Sequence, residues 1–146
     1  MRYMGIDYGR RRIGMAVADE ETGIAIPRGI MVRKNDEQAI NEIKALIQGE
    51  GIGKIIMGLP VGLDGKGNEM VVAVRAFARK LSILADLPIE FESEILTTRM
   101  ARREGIDVNN IDAASAAIIL QSYLDRVKNQ NSSDQSIMKS KIESGF

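Results

Sequence analysis

Three carboxylates are conspicuous for where they fall. Asp7 interrupts the apolar strand pattern Tyr3-Met4-Gly5-Ile6-Asp7-Tyr8-Gly9, with a glycine two residues away on either side. A carboxylate inside a strand carries a desolvation cost unless it is paired, protonated or bound to a metal. Glu94 follows the last strand pattern, and Asp112 precedes the helical run that begins Ala113-Ala114. Each also has an ordinary explanation: a turn cap for Asp7, a solvated glutamate for Glu94, a helix N-cap for Asp112. Taken together, three carboxylates that can face one end of a sheet suit a hard divalent cation, Mg²⁺ or Mn²⁺, which relieves their mutual repulsion.

The chain contains no His and no Cys. That excludes disulfides, zinc and haem-thiolate centres, Ser-His-Asp triads and imidazole bases, and leaves chemistry to oxygen ligands, backbone amides, Lys and Arg. Lys plus Arg equals Asp plus Glu at 20 each, so a polyanion can be held only through local patches. Three such patches exist: Arg10-Arg11-Arg12; Arg75, Arg79 and Lys80; and Arg99, Arg102 and Arg103. The first and third flank the candidate carboxylates, an arrangement suited to gripping a phosphodiester backbone. The glycine-rich stretch Gly58 to Gly67 fails as a Walker loop, because Pro60 and Gly67 stand where Gly and Ser or Thr are needed.

Positioning these residues is the task of the elements. Tyr3 to Gly9 and Ile13 to Ala18 read as a hairpin with a basic tip at Arg10 to Arg12, followed by a strand over Ile24 to Val32 whose Pro27 and Gly29 predict an edge or a bulge. Asn35 and Gln38 resemble a capping box opening a helix that ends at Gly49 to Gly51. A buried strand over Lys54 to Gly58 follows. A long helix then runs from Asn68 with Met70, Ala73, Val74, Phe77, Leu81 and Leu84 on one face. After a short strand over Ile89 to Glu94 come a helix capped at Thr97-Thr98 and ending at Gly105, and a last helix opened by Asp112. The order predicts an α/β fold with a mixed five-stranded sheet, three strands antiparallel and two parallel, and helices on both faces. Beyond Val127 the residues turn polar, so residues 1–127 are expected to form one domain and 128–146 a flexible tail. Neither a secretory signal nor an apolar run near the ~20 residues of a membrane span is visible, which predicts a cytoplasmic protein.

Gly5-Ile6-Asp7-Tyr8-Gly9 with Arg12-Ile13-Gly14, Gly58-Leu59-Pro60 with Asp64-Gly65, Val74-Arg75-Ala76-Phe77-Ala78, Glu94 with Leu96-Thr97-Thr98, and Asp112-Ala113-Ala114 with Tyr123-Leu124 occur in order over Met1 to about Asp125. This pattern resembles the YqgF family, the Holliday-junction-resolvase-like nucleases of the ribonuclease H superfamily. Ser93 and Ile95 depart from it, standing where the family carries Asp and Arg. The resemblance implies a ribonuclease H-like fold and a metal-dependent nuclease, with Asp7, Glu94 and Asp112 as metal-binding and catalytic residues. The substrate class it implies is nucleic acid, either the 5′ end of the small-subunit ribosomal RNA precursor or branched DNA. Attack would be in line, with two divalent ions stabilising the entering and leaving oxygens. Two other readings remain: an ATP-binding fold of the actin and hexokinase type, and a catalytically weak RNA-binding module associated with ribosomal precursors.

Overall fold

The computed structural model of the chain describes residues 1–60, 69–93 and 108–143, with side chains of the last helix over 113–131. Its elements run β1 (Arg2–Tyr8), β2 (Arg12–Asp19), β3 (Ala25–Val32), α1 (Asp36–Glu50), β4 (Ile52–Leu59), α2 (Glu69–Ala85), β5 (Ile89–Ser93) and α3 (Val108–Glu143). Among the described residues the strands form one sheet of order β3-β2-β1-β4-β5. β1 pairs antiparallel with β2, and β2 with β3, whereas β4 runs parallel to both β1 and β5. The mixed five-stranded sheet expected from the sequence is therefore present.

The strands alternate because each side of the sheet meets different helices. Met4, Ile6 and Tyr8 of β1 join Ile40 and Ile43 of α1 and Val74, Phe77 and Leu81 of α2 in one core. Tyr3, Ala16, Ala18 and Ile56 face the other way, against Ala116, Ile119, Leu120 and Tyr123 of α3. Full burial of a side chain such as Phe77 or Leu120 contributes roughly 1.5–3 kcal/mol, so each face holds its helices independently. Because side chains alternate along a strand, Gly5 and Asp7 share the α3 side with Tyr3.

Local signals account for most boundaries. Asn35 caps α1, its side-chain oxygen accepting from the Gln38 amide at 2.8 Å, while the Gln38 side chain reaches back to the Lys34 amide at 2.9 Å. The helix stops at Gly51, which is left-handed at φ 65°. β3 is an edge strand, and its register against β2 shifts between Met15 and Ala16, whose partners are Gly29 and Pro27. That is the bulge Pro27 and Gly29 foreshadow.

Three expectations are corrected. Leu84, assigned to the buried face of α2, is 52% exposed, and Val71 and Ala78 are buried instead, so the face is rotated from the one drawn by spacing. The last helix opens at Val108 rather than at Asp112, which is its fifth residue and not its cap. It also runs past Val127 to Glu143, since a polar composition does not remove the capacity for helical hydrogen bonds. No helix among the described residues is long and apolar enough to cross a membrane.

Candidate active site

Asp7 lies within the ladder of β1, opposite Gly14 of β2 and one residue beyond the last β1–β4 pair, Ile6 with Met57. It is half-buried and faces the α3 side. It is the last residue but one of β1, paired in the ladder with Gly14.

The backbone of α3 packs closely on β1 near Asp7. An added Cβ on Gly5 would lie 2.8 Å from the Ala116 carbonyl oxygen and 2.8 Å from the Leu120 Cβ, so strand and helix touch almost backbone to backbone. Further back along β1, the rings of Tyr3 and Tyr123 are 6.2 Å apart. The helix thus runs opposite to β1. Two residues past Gly5 is Asp7, about 6.6 Å along the strand. Asp112 is four residues before Ala116, one turn and about 6 Å back along the helix.

Glu94, Arg99, Arg102 and Arg103 lie outside the described residues, as do the Thr97-Thr98 helix start and most of the glycine-rich loop. β5 ends at Ser93 and runs parallel to β4 and β1, so its carboxyl end is on the same sheet edge as that of β1. Just before it, Glu92 is held by α3: the Arg126 guanidinium donates to Glu92 Oε2 at 2.8 and 3.3 Å. Among the described residues no three carboxylates converge on one point. With no His or Cys in the chain, the ligand atoms available around Asp7 are oxygens, and these suit a hard divalent cation.

The basic tip sits beside this edge. Arg10, Arg11 and Arg12 are exposed, and Arg10 makes a solvent-exposed ion pair with Glu69 of α2 at 3.2 Å. Beneath the tip lies Asp36, in the first turn of α1. Its Oδ1 accepts from the Tyr8 hydroxyl at 2.8 Å and from Arg33 Nε at 2.8 Å, while Lys80 Nζ is 3.6 Å from Oδ2. Burial pushes the Asp36 carboxyl upward, but the hydrogen bonds from Arg33 and Tyr8, with the charges of Arg33 and Lys80, outweigh it and hold the group below its ordinary value. Burial, then the bond to Asp36, raises the Tyr8 phenol.

A depressed carboxyl stabilises the fold above its unfolded value, near 3.9, and that contribution is lost as pH falls through the lower folded value. Acid-unfolding curves of Asp36→Asn are therefore expected to fall less steeply below about pH 4 than those of the parent protein. At neutral pH the same variant is expected to be less stable by about 1–2 kcal/mol, since charge-assisted bonds become neutral ones. An unchanged acid limb would show that Asp36 is not held ionised by its neighbours.

Several anchoring residues were not singled out in the sequence. Lys54 Nζ pairs with Glu90 at 2.7 Å and donates to the Tyr123 hydroxyl at 2.8 Å, tying β4 and β5 to α3. Gln121 accepts from the Ala25 amide and donates to the Gly23 carbonyl, both at 2.9 Å. The only local signal for Lys54 is a cation at the head of an apolar strand run. Gln121 has none, because its partners lie 96 and 98 residues away. Arg75 and Arg79 belong to α2, on the other side of the sheet, with the Arg75 guanidinium 5.3 Å from the Phe91 ring centre.

A sheet of this order, with α1 and α2 on one face and α3 on the other, defines the ribonuclease H-like class. Solved structures share it: Thermus thermophilus RuvC in complex with a Holliday junction substrate superposes with a TM-score of 0.59 at 11% identity, covering 88% of this chain and 96% of that one. The fowlpox virus resolvase bound to Holliday junction DNA gives 0.55 at 8% identity, covering 87% and 99%. The chain belongs to the RuvX family, described as Holliday junction resolvases, whose sequence profile matches residues 1–126. Its relatives include a protein of Anaplasma marginale named "Putative pre-16S rRNA nuclease", 36% identical over 87% of this chain and 86% of the relative. A Mesorhizobium japonicum protein of the same name is 34% identical over 97% of this chain and 90% of its own.

Proposed function

We propose that the protein is a divalent-metal-dependent nuclease that hydrolyses phosphodiesters in structured RNA, acting in the cytoplasm on the 5′ end of the small-subunit ribosomal RNA precursor. The observation that carries this reading is the contact of Gly5 with Ala116, which supports Asp7 and Asp112 standing in step at one end of the sheet. The family membership and the names of the relatives support the reaction class and the substrate.

In this reading Asp7, Asp112 and Glu94 hold Mg²⁺ or Mn²⁺. When bound, such an ion supplies Lewis-acid stabilisation of the charge that develops on the phosphoryl oxygens. Asp7, central in the sheet, fixes one side of the site, and Asp112, on a helix packed against the strand, fixes another. Arg10, Arg11 and Arg12 bind phosphates on one side of the scissile bond from the first hairpin, and Arg99 and Arg102 are the proposed contacts to those on the other side. Neither His nor Cys is available, so the protons of the reaction pass to water or to carboxylates. Residues 1–127 form the nuclease domain, and the polar residues 128–146 are an appendage to it; the family match ending at residue 126 supports that boundary.

A cleavage assay with Mg²⁺ or Mn²⁺, and with both removed by chelation, tests the proposal on structured RNA, single-stranded RNA and four-way DNA junctions. Metal-dependent cleavage of structured RNA is expected. Preference for junctions would reassign the substrate to branched DNA, the reading favoured by the family's description. Binding without cleavage of any of them would make the protein a binding module.

The phosphate grip has its own expected result. Replacing Arg11 and Arg102 by Ala should weaken nucleic-acid binding and flatten its dependence on salt by roughly one unit of log–log slope per lost contact. Arg75→Ala with Arg79→Ala, on the far side of the sheet, should change the slope little. Equal effects of the two pairs would place the nucleic acid elsewhere.

A further inference from the structure

The basic tip is braced from outside the hairpin. Three consecutive arginines repel one another, and a hairpin end offers few backbone bonds to resist that repulsion. The connection is close, since a Cβ on Gly9 would lie 2.6 Å from the Arg12 carbonyl oxygen. Arg33, beyond the end of β3, braces it at two carbonyls. The Arg33 amide donates to the Arg11 carbonyl at 2.8 Å, and its Nη1 donates to the Arg10 carbonyl at 2.8 Å. The Arg33 guanidinium is in turn locked: Nε donates to Asp36 at 2.8 Å, and its centre lies 5.6 Å from the centre of the Tyr8 ring.

Asp36 also accepts from Tyr8, the residue that follows Asp7 in β1. One carboxylate at the start of α1 thus joins the strand carrying the candidate metal ligand to the residue that grips the tip. Side-chain exposures of 22% for Arg33 and 19% for Asp36 leave both mostly sheltered, so Arg33 spends its donors on protein rather than on an incoming polyanion.

We propose that Arg33 and Asp36 are positioning residues for substrate phosphates, clamping the Arg10–Arg12 tip in a fixed pose beside Asp7. This rests on the nuclease reading above. Turning both tip carbonyls toward Arg33 orients the backbone of the tip before any substrate arrives, and a preorganised cationic loop binds a phosphate backbone with less ordering on contact.

Arg33→Lys tests the clamp, because it keeps the charge but not the fork that reaches Asp36 and the Arg10 carbonyl together. Two measurements are made: backbone order parameters of the Arg10 and Arg11 amides by NMR, and binding and turnover of a structured RNA. The variant should show lower order at the tip, a KM raised about fivefold because the tip must now be ordered on binding, and a kcat within about twofold of the parent. In a protein already carrying Arg10→Ala, Arg11→Ala and Arg12→Ala, Arg33→Lys should weaken binding no further, since its effect passes through those side chains. Tyr8→Phe, which removes one hydroxyl and keeps the ring, should lower tip order in the same direction and serves if Arg33→Lys does not fold. Unchanged tip order, or a binding loss that adds in full to that of the triple variant, overturns the clamp. Failure of the nuclease reading looks different: the parent protein would neither bind nor cleave any nucleic acid, while the order parameters still report on the tip.

Discussion

Asp7→Asn is expected to abolish metal-dependent cleavage, lowering the single-turnover rate by roughly a thousandfold or more, the scale on which a metal site's charge stabilisation operates. The amide keeps the shape of the side chain but loses the charge that a divalent cation requires. Stability should not suffer. Asp7 is a half-buried carboxylate in a strand, and the isosteric amide removes the desolvation cost of its charge while keeping hydrogen-bonding atoms for its neighbours. The melting temperature of the variant should therefore match or exceed that of the parent in chelator, whereas added Mg²⁺ or Mn²⁺ should raise the parent's melting temperature and leave the variant's unchanged. Full activity in the purified variant would remove Asp7 from the reaction. Loss of activity with unfolding would instead mean that the carboxylate holds the strand.

The contrast between what could and could not be read from the sequence follows the range of each interaction. The first hairpin, the bulge at Pro27 and Gly29 and the Asn35 cap are local, set by residues within a few positions of one another, and all three are legible. Asp7 is legible for the same reason, as a charge out of place in a strand pattern. The start of α3 is not: Asn109 and Asn110 look like helix breakers, yet the helix begins at Val108 and takes Asp112 into its second turn. The Asp36 cluster is equally hidden, because Tyr8, Arg33 and Lys80 come from three separate parts of the chain and meet only when α1 and α2 pack on the sheet. Asp36 reads locally as an acidic residue in a helix's first turn, where the helix dipole favours it. Its second role needs the tertiary fold. The close approach of α3 to β1 needs the tertiary fold as well, since Gly5 meets Ala116 and Leu120 from the far end of the chain.

Gly5→Ala should consequently act on stability and on the site together. The added methyl would sit 2.8 Å from a helix carbonyl oxygen and 2.8 Å from the Leu120 Cβ, distances that real Cβ atoms do not tolerate, so α3 must move away from β1. Overpacking of this kind costs about 1–3 kcal/mol, and Gly5→Val more, measurable by urea unfolding. Trimming the neighbour cannot repair it: Leu120→Ala keeps its Cβ, and the Ala116 carbonyl belongs to the backbone. The displaced segment of α3 carries Asp112 one turn from the point of contact, and a shift of about 1 Å in a catalytic group can cost on the order of a hundredfold in rate. Activity at a temperature where the variant remains folded should thus fall far more than the folded fraction does. Phe77→Leu provides the comparison, since Phe77 is fully buried on the opposite face of the sheet, among α1 and α2. It should lose a similar amount of stability and keep most of its rate per folded molecule. If Gly5→Ala retained both stability and activity, the close approach of α3 to β1 would not be what brings the two aspartates to one edge. If it lost stability while keeping its rate, the contact would hold the fold without setting the site.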